Sequence, residues 1–243
     1  MNPPSPHGLM DVVVCERPGG LVVEKRPIPE AKADEVLVRV RRVGVCGTDM
    51  HIFRGVQPFL TYPRVMGHEL SGEVVKAPAG STLKPGDPVY VVPYIACGAC
   101  SACRKGRPNC CKHLEVLGVH RDGALAQFLC VPERAVFSAR GVTLQEAAMV
   151  EFLAIGAHAV RRGDVAAGQQ VLVCGAGPIG IASALFSKLR GAQVTVVDMR
   201  PERLALCQQK LGVDHVLSPD DHLEARLRAI SDGDMFDVVF DAT

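Results

Sequence analysis

The sequence predicts a chain in two parts, an antiparallel barrel-like β module followed by a parallel α/β sheet. Three observations carry this expectation. Short β-rich runs broken by turn residues recur from Asp11 to Val131. Near Thr143 the apolar spacing changes to a helical one. After Gln170, strand-like and helix-like stretches alternate, and a glycine cluster stands at the first strand-to-helix junction.

The chain has 243 residues, 48% hydrophobic and 22% charged, with a formal net charge of +1. That length carries two modest cores, and the near-neutral balance calls for neither nucleic acid nor an acidic membrane surface. No apolar stretch reaches the length that spans a bilayer. Residues 1–9 are rich in proline and polar groups and read as a disordered leader, without the apolar centre of a signal peptide. Ten cysteines without a secretion signal, several at short spacing, point to metal binding rather than disulfides, and to a cytoplasmic address. The expected division is 1–9 leader, 10–157 β module with a cysteine lobe at 95–113, and 158–243 parallel sheet.

In the β module, Val12 to Val14, Leu21 to Val23 and Val36 to Val40 are separated by Pro18-Gly19-Gly20 and by Pro27, Pro29 and Lys32-Ala33-Asp34. The turn at Cys46 follows, flanked by Gly44 and Gly47. Leu70 to Lys76 and Pro88 to Pro93 resume the strand pattern around Pro85-Gly86-Asp87. Leu117 to His120 and Leu125 to Val131 continue it around Arg121-Asp122-Gly123.

Two sets of residues have the chemistry of metal ligands. One thiolate, one imidazole and several carboxylates fall at turns and strand ends: Cys46, His68 and Glu151 are the candidate ligands of a catalytic zinc, with Glu69 beside them. Asp49 fits equally an orienting carboxylate behind the ligands or a local turn hydrogen bond. The second set is Cys97, Cys100 and Cys103, with either Cys110 or Cys111 as a fourth. Its spacing suits a closed tetrahedral zinc site, or less well an iron–sulfur cluster. A nucleic-acid zinc module is set aside because no basic face is expected around it. Cys15, Cys130 and Cys207 read as core residues.

Thr143 and Glu146 form a capping box opening a helix through Arg161-Arg162-Gly163, and that helix carries Glu151. A carboxylate between Val150 and Phe152 calls for a partner. His158 reads as a core or interface residue. The strand Val171 to Cys174 then leads into Gly175-Ala176-Gly177-Pro178-Ile179-Gly180, which opens a helix, and a second strand closes on Asp198. Gly-x-Gly-x-x-Gly in that context, with an acidic residue after the next strand, is a dinucleotide site. Asp198 favours NAD over NADP by accepting from the ribose; Arg200 and Arg203 pull mildly the other way. Helices over Pro201 to Leu211 and Asp221 to Ile230, with strands at His215 to Leu217 and Asp237 to Asp241, complete the pattern.

With these motifs, the chain resembles the zinc-containing medium-chain alcohol and polyol dehydrogenases from Met10 to Thr243. The motifs are Gly44-Val45-Cys46-Gly47-Thr48-Asp49, Gly67-His68-Glu69, the cysteine lobe, Glu151-Phe152-Leu153-Ala154 and the glycine cluster. Gln57-Pro58-Phe59, Tyr62-Pro63-Arg64-Val65, Pro93-Tyr94, Asn109-Cys110-Cys111 and Leu117-Gly118-Val119-His120 resemble the L-galactonate and L-gulonate 5-dehydrogenase branch. Threonine and sorbitol dehydrogenases share the metal motifs.

The resemblance implies a GroES-like catalytic domain, a Rossmann NAD domain and an active site between them. It implies two zinc ions per chain, one on Cys46, His68 and Glu151 with Glu69 able to exchange in, the other on Cys97, Cys100, Cys103 and Cys111. Thr48 and His51 match a proton relay, and Arg64 and Arg121 are candidate cations for the carboxylate of a sugar-acid substrate. The family's usual proline after the ligand glutamate is Phe152 here. The resemblance also implies homo-oligomers and a six-stranded sheet, of which only four strands are expected here, so the dimerisation strand is missing and the chain reads as C-terminally truncated; a non-catalytic zinc-stabilised remnant is the competing expectation.

Overall fold

The computed structural model describes residues 8–243. The leader expected over 1–9 falls mostly outside them, and Leu9 already opens the first strand. The chain divides into two compact units, Met1–Glu151 and Phe152–Thr243. That is six residues before the expected boundary. The helix bearing Glu151 joins the second core directly after it: Val160 is buried there, and Gly156 lies so close to Ala182 that a Cβ on it would overlap the Ala182 backbone.

The first unit is built from antiparallel strands. β1 (Leu9–Arg17) pairs with β2 (Gly20–Pro27) through the Pro18-Gly19 turn and, on its other side, with the short β4 (Arg64–Val65). β3 (Glu35–Gly44), β5 (Glu69–Lys76), β6 (Pro88–Val91), β9 (Phe128–Pro132) and β10 (Val136–Ser138) form a five-stranded sheet in the order β10-β6-β5-β3-β9. Residues 125–127 stitch the two sheets together, since Val13 N–H donates to Leu125 O and Val40 N–H to Gln127 O. The curled result is the barrel-like module expected. β3 is buried on both faces over Val36, Leu37 and Val38, which is why its apolar run is continuous rather than alternating. α3 (Leu144–Ala148), opened by the Thr143–Glu146 capping box, covers β3, β5 and β6.

Three local expectations change. Cys46 caps a true helix, α1 (Gly47–Arg54), rather than standing in an isolated turn. Leu117 to His120 is a turn after the short β8 (Glu115–Val116), because Gly118 takes a φ of 75° and packs against the Gly67 backbone. The helix expected from Thr143 to Arg162 breaks at Met149, giving α3 and α4 (Val150–Arg162).

The second unit is a parallel four-stranded sheet, β11 (Gln170–Cys174), β12 (Gln193–Val197), β13 (His215–Leu217) and β14 (Val238–Asp241), in the order β13-β12-β11-β14. The expected strand order 3-2-1-4 is present. α5 (Pro178–Leu189), α6 (Pro201–Leu206) and α7 (Leu223–Ile230) connect the strands. α6 runs into one π turn, Cys207–Leu211, with Cys207 fully buried, so the helix expected through Leu211 changes pitch where it packs on the core. Among the described residues, no helix is long and apolar enough to cross a membrane.

Candidate functional site

The first site is set by three neighbouring chain ends. Cys46 stands at the N-terminus of α1, His68 just before β5, and Glu69 at its first residue. Cys46 Sγ, a ring nitrogen of His68 and a carboxylate oxygen of Glu69 lie within 4.8 Å of one another. Two features make that gathering possible. The β3–β5 ladder pairs Gly44 with Glu69, and a Cβ on Gly44 would stand 2.9 Å from Glu69 Cβ and overlap its carboxylate. Asp49, 4% exposed, accepts from Cys46 N–H at 2.9 Å and from Gly67 N–H at 3.2 Å. Both expectations for Asp49 therefore hold: it ties the turn, and its Oδ1 also stands 4.0 Å from His68 Nδ1. That nitrogen is buried and has no hydrogen-bond partner. A buried imidazole with one nitrogen 4.0 Å from a carboxylate and a thiol within hydrogen-bonding reach resembles the surroundings of a metal-bound histidine, and the thiol, imidazole and carboxylate donors suit zinc.

Electrostatics agree with a cation-binding cluster. Burial works against a charged His68, but its hydrogen bond to Cys46 and the charges of Asp49, Cys46 and Glu151 outweigh it and raise its pKa. Burial, then the charge of Glu151, pushes the Glu69 carboxyl up. A cation among these groups would offset that crowding and restore their charged forms.

Glu151 itself is not one of the three converging groups. Its Oε1 accepts a 2.5 Å hydrogen bond from the Tyr94 hydroxyl, at the start of β7 (Tyr94–Ile95). The partner that Glu151's apolar neighbourhood calls for is thus a tyrosine. Partial burial, then the bond to Glu151 and its charge, holds the Tyr94 phenol far above its ordinary range, so it donates. The carboxylate closing on Cys46 and His68 in this structure is that of Glu69. Thr48, half-buried, and His51, exposed, stand three residues apart on one face of α1.

The second site is the cysteine lobe. The sulfurs of Cys97, Cys100, Cys103 and Cys111 all lie within 4.8 Å of one another. Cys97 to Cys111 and Cys100 to Cys103 are each 3.5 Å, and Cys97 to Cys103 is 4.0 Å. Four sulfurs at a Zn–S distance of about 2.3 Å sit about 3.8 Å apart along a tetrahedron edge, whereas a disulfide requires about 2.05 Å. The thiols fit zinc, and all ten cysteines are free. Cys111 is buried in the cluster while Cys110 is exposed, which decides between them. Backbone hydrogen bonds near Cys103 and Lys112 hold the Cys100 thiol down to about 6, and burial with the neighbouring sulfurs pushes Cys103 up to about 12. Contrary to expectation, the lobe does carry positive charge: Arg104, Lys105, Arg107 and Lys112 are all exposed around it.

The third site lies in the second unit, where the chain leaves β11. Gly175, at a φ of 93°, makes the turn, and Gly177 caps α5 with the Arg203 guanidinium 4.0 Å from where a Cβ would stand. A Cβ on Gly180 would overlap the Gly175 carbonyl, so α5 approaches the strand only without a side chain there. Pro178 and Ile179 follow as the first helical residues. A cavity of about 470 Å³ opens at these strand ends, bordered by Gly175, Gly177, Asp198, Arg200 and Arg203. Asp198 Oδ2 accepts from Ala176 N–H at 2.6 Å and Oδ1 from Arg200 N–H at 2.7 Å, while Arg203 stands 3.8 Å away. Burial opposes the Asp198 anion, but these donors and the two arginines lower its pKa below the ordinary value. A carboxylate has about four acceptor positions, so two remain for a ribose.

Other expectations are corrected. Arg64 pairs with Asp122 at 3.1 Å and Arg121 with Glu115 at 3.6 Å. Both line a cavity of about 620 Å³ whose walls include none of Cys46, His68 and Glu69. His158 is exposed and bonds Arg161 at 3.1 Å, because α4 turns that face to solvent. Cys15 and Cys207 are buried as expected; Cys130 is half-buried, its thiol toward Pro29 O. Tyr94 was missed as a partner of Glu151, since 57 residues of chain separate them.

A glycine turn between strand and helix, with an acid at the next strand end, defines the class of dinucleotide-linked enzymes, and two thiol-bearing metal clusters on a curled β unit narrow it to metal-dependent dehydrogenases. Comparison with known proteins agrees. The alcohol dehydrogenase GroES-like domain matches residues 32–141, and the zinc-binding dehydrogenase domain residues 178–243. L-galactonate-5-dehydrogenase of Escherichia coli K12 is 44% identical over 96% of this chain and 69% of its own length. L-threonine 3-dehydrogenase of Sinorhizobium medicae is 38% identical over 95% and 69%. A crystal structure of an alcohol dehydrogenase from E. coli CFT073, complexed with the cofactor NADH, superposes with a TM-score of 0.88 at 34% identity, over 97% of this chain and 69% of that one. The chain belongs to the zinc-containing medium-chain alcohol dehydrogenases, in their galactonate-like branch, and is an oxidoreductase of the zinc-dependent alcohol dehydrogenase type.

Proposed function

We propose that the protein oxidises a secondary hydroxyl of a hexonate or polyol, of the L-galactonate or L-gulonate kind, with NAD as hydride acceptor. The observation that carries this is the convergence of Cys46, His68 and Glu69 within 4.8 Å, beside a tethered Glu151. The substrate class rests on the 44% identity to the L-galactonate relative, against 38% for the threonine relative. In this reading Cys46 and His68 hold a catalytic zinc with Glu151 and Glu69 exchanging as the third protein ligand, and the four lobe thiols hold a structural one, making two per chain. The catalytic zinc, when bound, supplies Lewis acidity that lowers the pKa of an alcohol brought to it.

The chain's own residues do the rest. Asp49 fixes the Cys46 turn, and its charge, 4.0 Å from His68 Nδ1, favours the tautomer protonated on that nitrogen. Thr48 takes the alcohol proton on its hydroxyl and hands it one helical turn outward to His51, which is exposed and releases it to water. The backbone N–H groups at the start of α5, next to Gly177, face the pyrophosphate, and Asp198 accepts from the ribose. The substrate is a small molecule; nucleic acid and membrane have no part in this reading. The ten free thiols favour a cytoplasmic location.

The test is elemental zinc per chain together with NAD reduction followed at 340 nm, using L-galactonate, L-gulonate, sorbitol and L-threonine. Two zinc ions and saturable reduction with a hexonate are expected. Turnover of threonine alone would move the substrate class, and a chain with zinc at the lobe only and no NADH binding would overturn the reading.

A further inference from the structure

Beyond the ligand set just proposed, and resting on it, the geometry points to Tyr94 as a positioning residue that decides which carboxylate completes the metal set. Two glutamates compete for one place beside Cys46 and His68. Glu69 reaches it because Gly44 leaves its carboxylate room. Glu151 is held off by the Tyr94 hydroxyl at 2.5 Å and lies outside the converging group. The bond joins β7 to the first turn of α4, so the choice depends on the junction between the cysteine lobe's neighbouring strand and the helix that leaves the first unit.

Tyr94 is suited to such a role. Tyr94 is 42% exposed, whereas the next residue, Ile95, is buried and anchors the strand in the core. Its hydroxyl has Glu151 as a partner in the first unit, and β7 is only two residues long, pinned to β8 by Tyr94–Val116 and Ile95–Glu115 pairing. A rigid phenol donor on an anchored strand tethers a flexible carboxylate without offering a ligand of its own. Removing the hydroxyl frees Glu151 to join the metal, giving the set a second carboxylate.

The experiment is metal release in the full 243-residue chain. Zinc transfer to a chromogenic chelator is followed in wild type, Y94F, E151Q and Y94F/E151Q, with zinc content measured beforehand. Two zinc ions per wild-type chain are expected, and Y94F should slow release of the more labile one about tenfold, the worth of one hydrogen bond to a charged acceptor. In the E151Q background the same substitution should change nothing, since no carboxylate remains at that position to join the metal. A packing role for Tyr94 predicts equal effects in both backgrounds, and that result would overturn the inference. So would an unchanged or faster release in Y94F with two zinc ions in wild type, which leaves the ligand set standing. A single zinc in wild type, insensitive to E151Q, would instead remove the ligand set and this inference with it.

Discussion

Gly44 and Glu69 face one another across the β3–β5 ladder, and the Glu69 carboxylate fills the volume that a side chain at Gly44 would need. Substituting Ala for Gly44 puts a methyl carbon 2.9 Å from Glu69 Cβ, closer than packed atoms stand. Something must move, and the carboxylate has the freest path. Gly44→Ala should therefore lower zinc content relative to wild type, by up to one ion per chain, with the fold kept, read by elemental analysis and circular dichroism. An unchanged zinc content would show that Glu69 is dispensable to the cluster.

The cysteine lobe gives a sharper contrast, between adjacent residues. Cys111 is buried among the other three sulfurs, and Cys110 is exposed with only Asn109 against its thiol. Cys110→Ser should leave zinc content and melting temperature unchanged. Cys111→Ser should remove one zinc and lower the melting temperature by about 10 °C, the shift a few kcal/mol produces in a chain of this size. Equal behaviour of the two variants would contradict the assignment.

Much of this architecture was legible in the sequence, and the misses share one cause. β13 lies at His215–Leu217 as expected, and the Thr143–Glu146 capping box is present, because both are decided by neighbours in the chain. The order β13-β12-β11-β14 follows from the glycine turn and the alternation of strands and helices. What failed was decided across space. Leu117 to His120 has the composition of a strand, yet Gly118 is pressed against Gly67 and turns instead. α1 is only eight residues long and includes β-branched Thr48 and Ile52, so local preference hid a helix that tertiary packing of Ile52 supports. The choice between Cys110 and Cys111, and the engagement of Arg64 by Asp122, are likewise unreadable from spacing.

Asp198 offers a test of cofactor choice. Its two oxygens each accept a backbone N–H, one from Ala176 in the glycine turn and one from Arg200. Asp198→Ala removes both bonds and the anion that repels a 2′-phosphate, while leaving Arg200 and Arg203 in place. NADH affinity should fall at least about tenfold, since a ribose hydroxyl's hydrogen bond to the charged carboxylate contributes about 1.5–3 kcal/mol. NADPH affinity should fall less or rise. Fluorescence titration of both nucleotides reads the ratio, and a parallel loss of the two would mean that Asp198 shapes the turn without discriminating.

Asp214 couples stability to pH within the second unit. Its carboxylate takes Lys188 of α5 at 2.8 and 2.9 Å and the Val194 N–H at the start of β12 at 2.6 Å. Burial opposes its charge, but the Lys188 hydrogen bonds and the Val194 N–H prevail, and its pKa lies below the ordinary value. A carboxyl whose folded pKa is depressed contributes stability that is fully present above its unfolded value, about 3.9, and is lost as pH falls through the folded one. Asp214→Asn should therefore cost about 1 kcal/mol at pH 7, a modest figure because the pair is one-third exposed to solvent. As pH drops below about 4, the wild type loses the same contribution and the two stabilities converge. Urea unfolding at pH 7 and at a series of acidic values measures the gap; a difference that stays constant across the series would mean that Asp214 acts through packing and not through its charge.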